Sequence, residues 1–415
     1  MSKTVYSIYD NSPKTEQIAS LLGQNNTPKV HLSGLVGSSI SFVIRSVFKK
    51  SELPFLLILN DKEEAAYYLN DLEQMVGDQD VLFYPASFRR PYQIEETDNA
   101  NVLLRAEVLN RINSRKKPAI IVSYPEALFE KVVTRKELDK NTLKVAVGDQ
   151  ISIDFINEVL FEYEFKRVDF ITEPGEFSVR GGIVDVFSFS NDNPYRIEFF
   201  GNEVDSIRTF DVATQLSLEQ QKKITIIPNV ENKFFQENRE SFLDYISEKT
   251  VLFIQNTEGF LSQLDKQFVK AEEAFEKLSK DIKHARPEQL FLNQEQFIKR
   301  ALDFSVAELA SKPIFKTTKK FDFHIQPQPS FNKQFDLLLN NLNDNHFNGY
   351  KNYLFCSNDN QAKRFHDIFE TLDEANSENI RKQYNTIVLP LYQGFIDEEN
   401  QITCYTDHQI FERYH

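Results

Sequence analysis

Apolar and polar positions alternate in three short runs between residues 170 and 217: Phe177 to Val179, Ile183 to Phe187 and Tyr195 to Phe199. Pro174-Gly175, Gly181-Gly182 and Asn191-Asp192-Asn193 punctuate them. A period of two between turn residues predicts a small antiparallel sheet. Its polar side carries Arg180, Arg196 and Arg208 against Glu198, Glu203 and Asp205. Ahead of this block the pattern changes. Continuous apolar runs at Val30 to Leu32, Pro54 to Asn60, Asp80 to Tyr84 and Ala119 to Ser123 alternate with helical stretches at Glu63 to Met75 and Asp98 to Arg111. That strand and helix rhythm predicts a buried parallel sheet of the α/β class.

The rhythm returns after the sheet block. Lys223 to Pro228 and Thr250 to Ile254 read as strands, and Asn232 to Ser247 as a helix. Glu258 to His284 reads as a long charged helix with one apolar stripe through Leu264, Phe268, Ala271, Phe275 and Leu278. Lys312 to Ser330, with its prolines and KTTKK run, reads as a linker. Beyond it, helices at Asn332 to Leu342 and Asn360 to Glu370 alternate with strands at Tyr353 to Ser357, Thr386 to Leu389 and Gln401 to Tyr405. The expected organisation is a first α/β module at 1–125, an inserted antiparallel-sheet domain at 126–217, a return to the first module at 218–325, and a separate small α/β domain at 326–415.

Residues 29–44, KVHLSGLVGSSISFVI, form a strand, a Gly/Ser turn and the start of a helix. A working phosphate loop reads G-x-x-x-x-G-K-[ST], with backbone N–H groups around a phosphate and a lysine on the outer phosphates. Here Gly34 and Ser41 hold the outer positions, Gly37 lies between them, Ser39 replaces the second glycine and Ile40 replaces the lysine. Isoleucine supplies neither charge nor hydrogen bond, so the loop is a degenerate nucleotide site, or an ordinary turn between strand and helix.

Composition narrows the function classes. The 415 residues include 37 Phe and no Trp, with 41% hydrophobic positions, enough for several cores. The formal charge of −14 opposes broad non-specific binding to nucleic acid, which depends on neutralised phosphates. The basic clusters at Arg89-Arg90, Arg111 to Lys117 and Lys316 to Lys320 read as solvated faces. Cys356 and Cys404 sit in apolar runs and read as core residues, without a disulfide framework. The seven histidines are dispersed without HxxxH spacing, which leaves a zinc site unsupported. Asp373-Glu374 follows a helix and enters a polar run, which reads as a solvated loop rather than a magnesium-holding strand end. With no signal peptide and no membrane-length apolar run, a cytoplasmic location is expected. No long heptad pattern is present, and a monomer is expected.

The block EPGEFSVRGGIVDVF, with PYRIEFF and SIRTFD after it, resembles the N-terminal region of the transcription-repair coupling factors (Mfd), itself similar to the excision-repair protein UvrB. PQPS at 327–330, Tyr392-Gln-Gly-Phe395 and Thr406-Asp407 extend the likeness more weakly. The resemblance implies a degenerate RecA or helicase-like parallel module with an inserted UvrA-binding sheet domain. It implies UvrA as partner, with Arg180, Arg196 and Phe200 at the interface. It further implies a longer protein whose ATP- and Mg²⁺-dependent motor engages RNA polymerase and double-stranded DNA, and whose C-terminal domain can cover the UvrA face. For residues 1–415 themselves no cofactor and no catalysis are expected. The alternatives are a UvrB-like, nucleotide-dependent DNA-handling protein and a structural docking module. If Arg180 and Arg196 are not interface residues, they serve as ion-pair partners for Glu176, Asp185, Glu198 or Asp205.

Overall fold

The computed structural model describes residues 2–87, 92, 99–114, 116–229, 239–278, 285–310, 312–372 and 383–412. The first module is built on a seven-stranded sheet. Its strands run Lys319–Asp322, Lys29–Ser33, Ser305–Glu308, Val251–Ile254, Phe55–Ile58, Ile120–Ser123 and Val81–Phe83 across the sheet, every neighbouring pair parallel. FLLI, IIVS and VLFI are buried along their whole length, as expected for strands covered on both faces. Helices Ser39–Ser51, Lys62–Val76, Asn99–Ser114 and Thr257–Glu276 supply cover. The stripe on the last of these buries Leu264 and Ala271. The chain is therefore multidomain α/β, with smaller sheets beside the parallel one.

Two strands of this sheet depart from the sequence reading. Ser305–Glu308 is a central strand that ends in a buried glutamate. Glu308 escapes the cost of burial by accepting from the Thr257 hydroxyl at 2.6 Å and the Ile314 and Phe315 N–H groups at 2.8 and 3.0 Å. Lys319–Asp322 lies inside the stretch expected to be a linker. It is the edge strand on Lys29–Ser33, and its polarity reflects an exposed edge with Phe321 alone turned inward. Ile325–Pro327, two residues further on, already pairs in the last sheet.

The inserted sheet has six strands, in spatial order Ser217–Gln220, Glu203–Phe210, Tyr195–Phe200, Ile183–Val186, Glu176–Arg180 and Lys166–Arg167. The first five pair antiparallel, and Lys166–Arg167 pairs parallel to Glu176–Arg180. Strand pairing continues past residue 217, where Lys223–Ile226 runs antiparallel to Leu143–Ala146. The helix expected over Asn232 to Ser247 lies partly outside the described residues. Within them the chain makes a two-residue strand, Arg239–Glu240, and one helical turn, Phe242–Tyr245.

The last unit carries a five-stranded mixed sheet ordered Ile325–Pro327, Phe395–Asp397, Ile402–Thr406, Lys351–Cys356 and Tyr384–Val388. It has its own apolar cluster around Leu338, Leu342, Phe365 and Phe369. Its other face is not separate: Phe355, Leu391, Phe395 and Cys404 belong to the same continuous core as Val30, Ile40 and Phe42. Phe42 meets Phe355 and Phe395 edge-on, at centroid distances of 6.1 and 5.7 Å. The last unit packs onto the first module through this shared core. Among the described residues no helix is long and apolar enough to cross a membrane.

Candidate functional site

The degenerate loop leads from Lys29–Ser33 into the helix Ser39–Ser51, the topology of a phosphate loop. Several of its polar groups are engaged within the chain. The Ser38 N–H donates to the Gln393 carbonyl at 3.0 Å, and the Gln393 N–H donates to the Ser38 hydroxyl at 3.0 Å. The Ser39 hydroxyl closes a turn with Val36, accepting from its N–H at 3.1 Å and donating to its carbonyl at 2.6 Å. The Ser39 and Ile40 N–H groups bond back to Val36 and Gly37. Gly37 holds a left-handed φ of +53°, and a side chain there would press within 3.0 to 3.1 Å of Gln393. Ile40 turns into the core. The segment Tyr392 to Gly394 of the last unit thus occupies the mouth of the loop, where a nucleotide phosphate would otherwise meet the amides.

Asp71 ties the same contact from below. Its carboxylate accepts from the Tyr392 N–H at 2.8 Å and the Ser41 hydroxyl at 3.2 Å. Burial pushes the carboxyl up to about 7, against the opposing pull of its hydrogen bonds from Ser38, Tyr392 and Ser41. The Tyr392 ring stacks on Tyr67 at 4.3 Å, and Tyr9 donates to Asp397 at 2.8 Å across the same junction. None of Asp71, Tyr392 and Gln393 stands out as a loop partner in sequence, because each lies far from residues 34–41 along the chain.

The second region is the polar face of the inserted sheet. Arg180, Asp185 and Arg196 lie on three adjacent strands, with Arg196 directly opposite Asp185. Arg196 grips Asp185 bidentately, Nε to Oδ1 at 2.7 Å and Nη2 to Oδ2 at 2.9 Å. Arg180 reaches Oδ2 of the same carboxylate. Asp185 is 1% exposed, and among the described residues this pair of guanidiniums satisfies its carboxylate. These hydrogen bonds raise the pKa of Arg196 further above its already high value. Arg196 also covers the ring of buried Phe210 at 4.3 Å and is 14% exposed, whereas Arg180 is 42% exposed. Two residues along the strand from Arg196, Glu198 accepts from Ser206 and Arg208 on the next strand, and both hold its carboxyl below the usual range.

Phe200 ends the strand Tyr195–Phe200 at a two-residue turn opened by Gly201, whose φ is +63°. Alternation puts Ile197 and Phe199 toward the core and Arg196, Glu198 and Phe200 on the polar face. Phe200 is 83% exposed. The structure therefore brings Arg180 and Arg196 together through Asp185 and sets Phe200 roughly 13 Å from Arg196 along the same strand. The ion pairs that sequence offered as an alternative role for the arginines do form, with Asp185 as their shared partner. Those pairs leave part of Arg180 and nearly all of Phe200 open to solvent.

Comparison with known proteins bears on this second region. Residues 143–232 match the UvrB interaction domain family. Over 198 residues the chain is 32% identical to the transcription-repair-coupling factor of Bacillus subtilis (strain 168), covering 48% of this chain and 17% of that relative. The corresponding protein of Myxococcus xanthus is 29% identical over 51% of this chain and 18% of its own length. That of Escherichia coli (strain K12) is 26% identical over 48% and 17%. The matched part thus spans under a fifth of these relatives. The UvrB interaction domain match at 143–232 and the likeness to transcription-repair-coupling factors over about half the chain support an N-terminal region of that kind.

Proposed function

We propose that this chain is the UvrA-recruiting module of a protein of transcription-coupled nucleotide excision repair. The observation that carries the reading is the coincidence of the UvrB interaction domain match with an exposed Phe200 on the same sheet face as an arginine pair fixed by one buried carboxylate. A guanidinium already held in place loses little freedom on docking, so its hydrogen bonds to a partner come at lower entropic cost. An exposed phenyl ring adds apolar contact of the kind that dominates interface energetics. UvrA docks on this face, and Arg180 and Phe200 contribute most directly. Arg196 contributes by positioning Asp185 and, through it, Arg180.

The chain works without ATP and without a metal. The amides of Val36, Ser38, Ser39 and Ile40 are engaged by Gln393 and by the loop itself, and Ile40 supplies no charge. In the longer protein, ATP and Mg²⁺ serve a motor that lies outside residues 1–415, translocates on double-stranded DNA and displaces stalled RNA polymerase. The C-terminal domain of that protein covers the UvrA face until polymerase is engaged. The module acts as a monomer in the cytoplasm. The test is calorimetric titration of UvrA into the chain. Saturable binding is expected, and no binding at tens of micromolar overturns the reading.

A further inference from the structure

The arginine pair is flanked by exposed apolar side chains that neither the sequence motifs nor the family match singles out. Phe170 is 64% exposed, and the Arg180 guanidinium lies 5.2 Å from its ring centroid. The segment carrying it is pinned over the polar face, because the Ser178 hydroxyl donates to the Asp169 carbonyl at 3.1 Å. On the opposite flank, Arg196 donates to the carbonyl and side-chain oxygens of Gln215, each at 3.4 Å. The next residue, Leu216, is 67% exposed. Its turn is rigid: Asp211 accepts from the Thr214 N–H and hydroxyl, both at 2.7 Å, and the Asp211 N–H donates to the Leu216 carbonyl at 2.9 Å.

A single exposed leucine or phenylalanine is ordinary. Here two of them sit on well-fixed segments at the two ends of one ion-pair row, Arg180 to Asp185 to Arg196, with Phe200 on the same face. The row offers charge in the centre and apolar surface at its flanks. Docked apolar flanks exclude water from the central guanidiniums, which strengthens the hydrogen bonds made there.

We propose that Phe170 and Leu216 are further contact residues of the recruiting face, so that it takes a partner surface with a carboxylate or carbonyl cluster at its centre and apolar side chains on both sides. This rests on the UvrA reading above and specifies the shape of that contact. Charge alone does not account for it: the row contains two arginines sharing one aspartate, and Arg196 is largely covered.

The experiment compares UvrA affinity by calorimetry for the wild-type chain, Arg180→Ala, the pair Phe170→Ala/Leu216→Ala, and Phe347→Ala, a 91% exposed residue of the last unit. The Phe170/Leu216 pair is expected to weaken binding at least about tenfold, with an unchanged thermal midpoint because both side chains are exposed. Phe347→Ala is expected to leave affinity unaltered. The flanking loss should persist at 0.5 M salt, because apolar contact is not screened by ions. Wild-type affinity for the Phe170/Leu216 pair, with Arg180→Ala weakened, overturns this inference and leaves the UvrA reading standing. Absence of binding by the wild-type chain overturns both.

Discussion

Ser38 and Gln393 exchange two hydrogen bonds across the junction of the first and last units, each 3.0 Å long. The exchange makes the turn between Lys29–Ser33 and Ser39–Ser51 a socket for a neighbouring segment. Restoring the missing lysine therefore does not restore the site. Ile40→Lys is expected to show no Mg-ATP binding by calorimetry. It is also expected to lower the melting temperature, because the side chain enters the apolar core and an unpaired cation is costly there. Micromolar ATP affinity in that variant would show that the segment 392–394 yields to nucleotide.

Asp71 makes the junction sensitive to pH. Its carboxyl is raised by burial to about 7, so the folded chain holds the proton more tightly than the unfolded chain does. The stability this contributes is fully present below the unfolded value of about 4 and is lost as pH rises through the folded value. Asp71→Asn removes the titration while keeping an acceptor for the Tyr392 N–H. Urea unfolding at pH 5 and pH 8 should show a smaller loss in the variant than in the wild type, by on the order of 2 kcal/mol. Equal losses would remove Asp71 as the cause.

The two arginines are expected to behave differently when truncated. Arg196→Ala takes away the bidentate partner of an almost fully buried aspartate and uncovers Phe210. Breaking a buried pair from one side costs roughly 3 kcal/mol, so a lower melting temperature is expected. Adding Asp185→Asn should recover part of it. Arg180→Ala, with its side chain nearly half exposed, should melt close to wild type.

Much of this architecture is legible in the chain. The parallel strands FLLI, IIVS and VLFI announce themselves as unbroken apolar runs, and the hairpins around Gly181-Gly182 and Asn191-Asp192-Asn193 by alternation and turn residues. Lys319–Asp322 is hidden because an edge strand needs only one inward residue, and Ser305–Glu308 because its glutamate, normally a surface residue, is buried with hydrogen bonds from Thr257, Ile314 and Phe315. Loop occupancy by Tyr392 to Gly394 is a tertiary fact that no local pattern encodes. On the sheet, alternation narrows Phe199 and Phe200 to one inside and one outside. Packing settles which, making Phe200 the clean substitution and Arg196 the compromised one. Arg89-Arg90 and Asp373-Glu374 lie outside the described residues.

Binding to double-stranded DNA is expected to be weak at 0.15 M salt, given the formal charge of −14. Gel-shift titration checks this. Tight binding that survives rising salt would favour a DNA-handling role over recruitment.

The most direct test of recruitment is UvrA affinity for the double variant Arg180→Ala/Phe200→Ala, measured by calorimetry beside a thermal melt of the variant alone. Both side chains project from the sheet, and neither substitution opens the core. The expected result is an unchanged melting temperature with affinity lowered roughly 30-fold or more, the scale set by losing an interfacial arginine. A folded double variant that binds UvrA as tightly as the wild type would contradict the recruiting face.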